Sequence, residues 1–357
     1  MTFAIILIAV VLFAVLEHKW ASYALKSLGV RTSCDRQLAE PGQPVTWSVT
    51  VDNYSRLPIP FVRLVGGFPK DAKPEGDKAW RDSFYRENVL SWDAEYRMTL
   101  RGRRWISRNV TVSFQERGIY QIGGYHLSAG DLLGFRESKC HGVGRTVVVM
   151  PHHSKQKTAV DAVGGFLGDI SVRRFIMEDP ILTTGFRDYT GREPMRAISW
   201  TRTAQSGTLQ VKQYDFTADR HVVVLLNTEG ADEEQLEECL RLTRSVCEKL
   251  EQQKVPYGFR TNGNLPGPVG KIHYMVEGLG EQHLNTILYG LGRADKTCFH
   301  SFRYLVKQTL KKRKSSEAYI VITPKDSGNV RACVQELGNA MGAPVYVLRG
   351  CAGEVAS

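Results

Sequence analysis

The run Val222-Val223-Val224-Leu225-Leu226 leaves no polar position on either face of a strand, and this feature constrains the chain most. A strand with one wet face alternates apolar and polar residues. A continuous apolar run belongs to a strand covered on both sides, the usual state in a parallel sheet between helices. Ala318-Tyr319-Ile320-Val321-Ile322 and Val345-Tyr346-Val347-Leu348 repeat the pattern. After the first run, residues 232–253 set Leu236, Cys239, Leu240, Val246, Cys247 and Leu250 at helical spacing, behind an acidic start that suits the helix dipole. Strands near 257–260 and 271–276 and helices near 284–291, 301–312 and 330–341 complete a βα succession. It predicts a mostly parallel, Rossmann-like α/β domain over 218–357.

The earlier half has a different period. Val45, Trp47, Val49 and Val51 alternate with Thr46, Ser48 and Thr50, the mark of a half-buried antiparallel strand. Asn53-Tyr54-Ser55-Arg56-Leu57-Pro58 reads as a turn and 61–65 as the return strand. Residues 69–88 read as a long polar loop. Alternation returns at 96–100, 109–114, 118–122 and 146–150, which predicts an antiparallel β-sandwich over 35–150. Two domains suit a length of 357 residues.

Residues 3–16 are unbroken apolar, and Trp20 and Tyr23 follow as interfacial anchors. Met1 to Trp20 as a helix matches about one membrane thickness. The absence of Lys or Arg before Lys19 argues against a signal peptide, while Ser22-Tyr23-Ala24 keeps a cleaved one open. The expectation is a transmembrane anchor over 1–25. Lys19, Lys26, Arg31 and Arg36 follow the apolar run, so the soluble domains of this single-pass cell-membrane protein are expected in the cytoplasm. Seven scattered cysteines, an odd number, fit a reducing compartment better than a disulfide framework. The net charge of +10 favours an anionic neighbour, and beside an anchor anionic membrane lipid is the expected one.

Between the halves, over 151–217, lies a stretch that mixes ions of both signs with two large aromatics: Gly185-Phe186-Arg187-Asp188-Tyr189-Thr190-Gly191-Arg192-Glu193-Pro194-Met195-Arg196-Ala197-Ile198-Ser199-Trp200. Ordering Ile198 and Trp200 stabilises only if they are buried, so a solvated linker is excluded. Two readings stay open: a domain junction locked by ion pairs, or a docking surface. Arg187, Tyr189, Gly191, Arg196, Ile198, Trp200 and Ala204 resemble the signature of the bacterial domain-of-unknown-function family fifty-eight. The departures are a Gly one residue closer, Arg192 where that family has Asp, and Gln205 where it has Arg. Arg117-Gly118-Ile119-Tyr120 and Asp131-Leu132-Leu133-Gly134-Phe135 resemble two further elements of the family. The resemblance implies a von Willebrand factor A-like C-terminal domain and an association with a MoxR-type AAA+ ATPase.

A von Willebrand A domain holds a hard cation through Asp-x-Ser-x-Ser after its first strand, because such ions take carboxylate and hydroxyl oxygens. Here that place reads Asn227-Thr228-Glu229-Gly230-Ala231, which breaks the pattern and leaves only Glu229 and Asp326 as weak metal candidates. No cofactor is implied. Gly-x-Ser-x-Gly, His-Glu-x-x-His and P-loop motifs are all missing from the sequence, so no enzyme is expected. Cys140-His141 and Cys298-Phe299-His300 lack zinc-finger spacing. The basic runs Arg101-Gly102-Arg103-Arg104-Trp105 and Lys311-Lys312-Arg313-Lys314 carry one aromatic between them, which does not make a case for nucleic acid. The expected function is a non-enzymatic scaffold or adaptor, with Arg187, Asp188, Tyr189, Gly191, Arg196, Ile198 and Trp200 as junction and interaction residues. The alternatives are a basic nucleic-acid-binding protein and a metal-dependent von Willebrand A-type binding domain.

Overall fold

The computed structural model describes residues 15, 23, 26–75, 84–87, 91–130, 137–174, 183–191, 193–214, 221–266, 273–312, 317–341 and 345–350. The chain divides into two units, residues 1–152 with 288–294, and residues 153–287 with 295–357.

The described strands of the first unit are β1 (Leu28–Cys34), β2 (Leu38–Ala39), β3 (Val45–Asn53), β4 (Ile59–Pro69), β5 (Lys73–Pro74), β6 (Phe84–Glu87), β7 (Ser91–Leu100), β8 (Trp105–Ser113), β9 (Gly118–Ile122), β10 (Gly124–Gly130), β11 (Glu137–Gly142) and β12 (Arg145–Val149). One antiparallel sheet runs β1-β3-β8-β5 and a second runs β11-β10-β4-β7-β6. A small third sheet, β2-β12-β9, contains the unit's one described parallel pair, β2 with β12. The alternation in β3 turns Val45, Trp47, Val49 and Val51 into a core shared with Val62 and Leu64 of β4, Tyr96 of β7 and Leu127 of β10. Two antiparallel sheets over one core are compatible with a β-sandwich. Each such side chain contributes about 1.5–3 kcal/mol when taken fully from water. Trp47 sits at the centre, edge-on to Phe68 at 5.6 Å, and Phe68 stacks on Trp92 at 4.4 Å. Two glycines leave room for it. A Cβ at Gly66 would lie 2.9 Å from the indole, and one at Gly123, which is left-handed at φ 70°, would overlap it.

The second unit contains, in order, α1 (Lys157–Arg174), β13 (Thr183–Asp188), a 3-10 turn at Met195–Ala197, α2 (Trp200–Ser206), β14 (Gln210–Tyr214), β15 (His221–Leu226), α3 (Glu233–Gln252), β16 (Tyr257–Thr261), β17 (Tyr274–Gly278), the first part of α4 (Glu281–Arg293, of which 288–293 belong to the first unit), α5 (Phe302–Lys311), β18 (Glu317–Thr323), α6 (Gly328–Met341) and β19 (Val345–Arg349). Its main sheet runs β17-β16-β15-β18-β19, parallel throughout except for β17 at one edge. All of 222–226 is buried, as a strand covered on both faces must be. Val223, Leu225, Tyr319 and Val321 pack with Phe302 and Val306 of α5 and Leu337 of α6. Asp232 caps α3 in a reciprocal box with Gln235, and the apolar stripe of that helix is buried. Cys239 and Cys247 lie within the stripe, and burial pushes the Cys247 thiol up. Arg244 interrupts the stripe. It is 1% exposed and is held by Glu248 at 2.7 Å.

The three-part fold expected from the sequence is corrected at its first part. Among the described residues no helix is long and apolar enough to cross a membrane. That finding stands against the transmembrane helix, the membrane keyword and the single-pass cell-membrane localisation, all of which were read from local sequence: the apolar run, its aromatic flanks and the basic residues that follow it. The expected anchor at 1–25 lies outside the described residues except for Val15 and Tyr23. The supported architecture is β-rich, with several sheets, followed by an α/β region with a largely parallel sheet.

Candidate functional site

A parallel sheet offers ligands its carboxyl edge. Here β15 ends at Asn227-Thr228-Glu229, β16 at Asn262 and β18 at Thr323. These ends are tied to one another. Asn227 Nδ2 donates to Thr323 Oγ1 at 3.1 Å, and Asn262 Nδ2 donates to Asn227 Oδ1 at 2.8 Å. Asn262 Oδ1 accepts the Thr228 N–H at 2.9 Å, and Asn227 Oδ1 also accepts the Glu229 N–H at 3.0 Å. The two amide side chains are buried, so each must satisfy itself within the network.

Both carboxylates singled out as metal candidates face other partners. Glu229 Oε2 accepts the Phe302 N–H at 2.7 Å, placing its charge on the N-terminus of α5. Asp326 lies between Arg331 at 2.9 Å and Arg349 at 2.8 Å, and the hydrogen bond from Arg331 leads in holding its carboxyl below the usual range. Among the described residues no group of three or more His, Cys, Asp or Glu is placed to hold a metal ion. What the crevice keeps is a cleft of about 460 Å³, lined in part by Glu229, Phe302, Arg303, Lys325 and Cys333. Cys298 lies nearby in the chain with its thiol 2.8 Å from the His300 carbonyl oxygen, while Cys140 and His141 are on β11 of the first unit.

The signature residues form a different element. β13 and β14 pair as an antiparallel hairpin, and the connection between them carries the 3-10 turn and α2. Arg187 pairs with Glu193 at 2.7 Å. The Glu193 carboxylate also accepts the Thr190 hydroxyl at 2.7 Å and the Thr190 N–H at 3.1 Å. Led by the Thr190 hydroxyl, with Arg187 assisting, these contacts pull the Glu193 carboxyl down to about 2. Gly191 makes the turn at φ 86°, a backbone state that favours glycine. Gln210 Nε2 donates to Asp188 Oδ1, and the Tyr189 N–H reaches the Leu209 carbonyl at 2.8 Å. Ile198 is buried and bridges to Val211. Trp200 is not buried: it opens α2 with 60% of its surface exposed. Met195 is 68% exposed, and Phe186 and Leu209 are exposed as well. The Arg202 guanidinium lies 5.1 Å from the centre of the Phe186 ring, and Arg196 is exposed with no ion-pair partner among the described residues. Arg192 and 131–135 lie outside the described residues.

No family model matches this chain. No curated protein matches it either. Among solved structures, alpha-2-macroglobulin of Salmonella reacted with methylamine is similar at 11% identity, covering 35% of this chain and 9% of its own, with a TM-score of 0.27. The CARDB domain of a Pyrococcus furiosus protein in complex with di-metal ions is 11% identical over 34% of this chain and 91% of that domain, at a TM-score of 0.22. The sporulation control protein Spo0M of Bacillus subtilis is 13% identical over 46% of this chain and 58% of its own, at 0.21. These scores carry no argument about site or activity.

The sequence reading missed Asn262 and Thr323. Both follow buried strands, and a polar residue at the end of an all-apolar run was the available signal. Of the two readings left open for Trp200, a junction residue or part of a docking surface, its place at the exposed first position of a seven-residue helix with no buried residue favours the second.

Proposed function

We propose that this chain is a non-enzymatic interaction protein whose docking surface is the hairpin element 183–214. One observation carries the reading: Phe186, Met195, Trp200 and Leu209 are all exposed on an element whose hairpin and turn are otherwise tied down by hydrogen bonds. Large apolar side chains held in water by an ordered scaffold are the usual make-up of an interface anchor, and Trp and Arg are the residues most often found there. The element carries five Lys and Arg against two Asp and Glu. Its occupant is therefore an acidic protein face with carboxylates around an apolar patch. The resemblance of the signature residues to family fifty-eight singles out a MoxR-type AAA+ ATPase as that partner.

The test is a titration of the purified full chain against a purified MoxR-type ATPase from the same cell, repeated with Arg196→Ala and Trp200→Ala. Saturable binding that both substitutions weaken at least tenfold, with circular dichroism unchanged, supports the reading. Absence of binding, or equal binding by the folded variants, overturns it.

A further inference from the structure

A second surface lies on the first unit, built from two turns about fifty positions apart in the chain. The turn after β3 carries Tyr54 and Arg56, and the turn between β7 and β8 carries Arg101, Arg103 and Arg104 and leads into Trp105. The two are bound together through their backbones. The Asn53 N–H reaches the Arg104 carbonyl at 2.9 Å, and the Arg103 N–H reaches the Ser55 carbonyl at 2.8 Å. The buried Asn53 amide clamps both turns, donating to the Leu57 carbonyl at 2.8 Å and the Arg101 carbonyl at 3.2 Å. Gly102 sits where a Cβ would overlap the Arg56 carbonyl, so only glycine lets the turns approach this closely. Arg103 is held in the left-handed region at φ 53°, a backbone state uncommon for a non-glycine residue.

What this frame presents is unusual for a free surface. Tyr54 is 68% exposed and Trp105 is 64% exposed. Arg56, Arg101, Arg103 and Arg104 are exposed, and none has an ion-pair partner among the described residues. Four uncompensated guanidiniums and two largely exposed aromatic side chains on joined turns match a strand of phosphates whose bases are free to stack. A duplex hides its base faces and meets only the arginines. The structure thus supplies the second aromatic that the basic run alone lacks.

We infer that this patch binds single-stranded nucleic acid, with the arginines on phosphates and Tyr54 and Trp105 stacked on bases. The test uses the purified full chain with fluorescently labelled oligodeoxythymidine and oligouridine, the matching duplex, and phosphatidylglycerol vesicles. Single strands should bind and quench tryptophan emission. With four phosphate contacts the affinity should fall about 50-fold between 50 and 200 mM salt. Arg101→Ala with Arg104→Ala should roughly halve the slope of log affinity against log salt. Trp105→Ala should weaken binding roughly five- to hundred-fold and reduce the quench. All three side chains are exposed, so unchanged circular dichroism is expected of the variants. No single-strand binding at 50 mM salt overturns the inference, and so does binding that the variants leave intact. Binding to vesicles without binding to either oligonucleotide overturns it too. None of these outcomes touches the hairpin element, whose titration stands separately.

Discussion

The carboxyl edge of the parallel sheet and the hairpin element 183–214 sit in the same unit and manage their side chains in opposite ways. At the sheet edge the polar groups are committed: Asn227, Asn262, Thr228 and Thr323 satisfy one another, Glu229 caps a helix and Asp326 is taken by two arginines. On the hairpin the scaffold is satisfied, but its large apolar side chains are left in water. The named polar groups at the customary ligand position of an α/β sheet are thus engaged in structure, while exposed apolar side chains stand on the hairpin. A fold therefore indicates where to look, while the accounting of satisfied and unsatisfied groups indicates what is free to act.

That contrast is open to direct attack. Asn262→Ala should be the most damaging change at the sheet edge, because it strips the buried Thr228 N–H of its acceptor and Asn227 of a donor. The expected loss is about 1–3 kcal/mol for each buried group left unpaired, read from urea unfolding. Trp200→Ala, by comparison, should move stability by no more than about 0.5 kcal/mol. If Trp200→Ala proved the more destabilising of the two, the hairpin would be a structural junction and the comparison would fail. The same substitution should cost about 2 kcal/mol of affinity for the ATPase partner, close to thirtyfold, as an anchor at the centre of an interface does.

A smaller effect separates capping from metal binding at Glu229. Glu229→Gln keeps an acceptor for the Phe302 N–H but removes the charge from the start of α5, for an expected loss of about 0.3–1 kcal/mol. Addition of Mg²⁺ or of EDTA should leave the melting temperature of the unaltered protein where it was. A rise with Mg²⁺ that vanishes in Glu229→Gln would restore a metal role to this edge.

The least of the expected effects concerns pH. The Glu193 carboxyl is lowered to about 2, so its contribution to the hairpin is present above the ordinary glutamate range and is lost as pH falls through about 2. A carboxyl titration followed by NMR should place the Glu193 midpoint near that value. Arg187→Ala should move the midpoint upward, but only in part, since the Thr190 hydroxyl has the larger hold. A midpoint at the ordinary glutamate value would mean that the turn is not closed in solution.

Much of this molecule's core could be read in advance. The alternation of Val45, Trp47, Val49 and Val51 and the stripe from Leu236 to Leu250 are local patterns, and a period of two or of 3.6 needs no partner to be visible. What escaped were properties set by distant chain. Arg244 falls on the buried side of α3, where the stripe alone would have placed an apolar residue. The Asn227–Asn262 bond joins residues 35 apart, and the clamp of Asn53 on Arg101 joins residues 48 apart. The apolar run at 3–16 misled in the other direction. Hydropathy suggested a membrane span there, yet no described helix qualifies as one. For Trp200 the sequence left burial at a junction and exposure at a docking surface both open, because hydrophobicity predicts burial only on average.

The tryptophan at the centre of the first unit has a consequence for how the chain tolerates change. Trp47 occupies the room vacated at Gly66 and Gly123, so positions 47 and 66 share one fixed volume. In a library randomised at both and selected for folded protein, side chains larger than hydrogen at 66 should survive chiefly in clones that have traded the indole for something smaller. The two sites would then drift as a couple, although neither is next to the other in sequence.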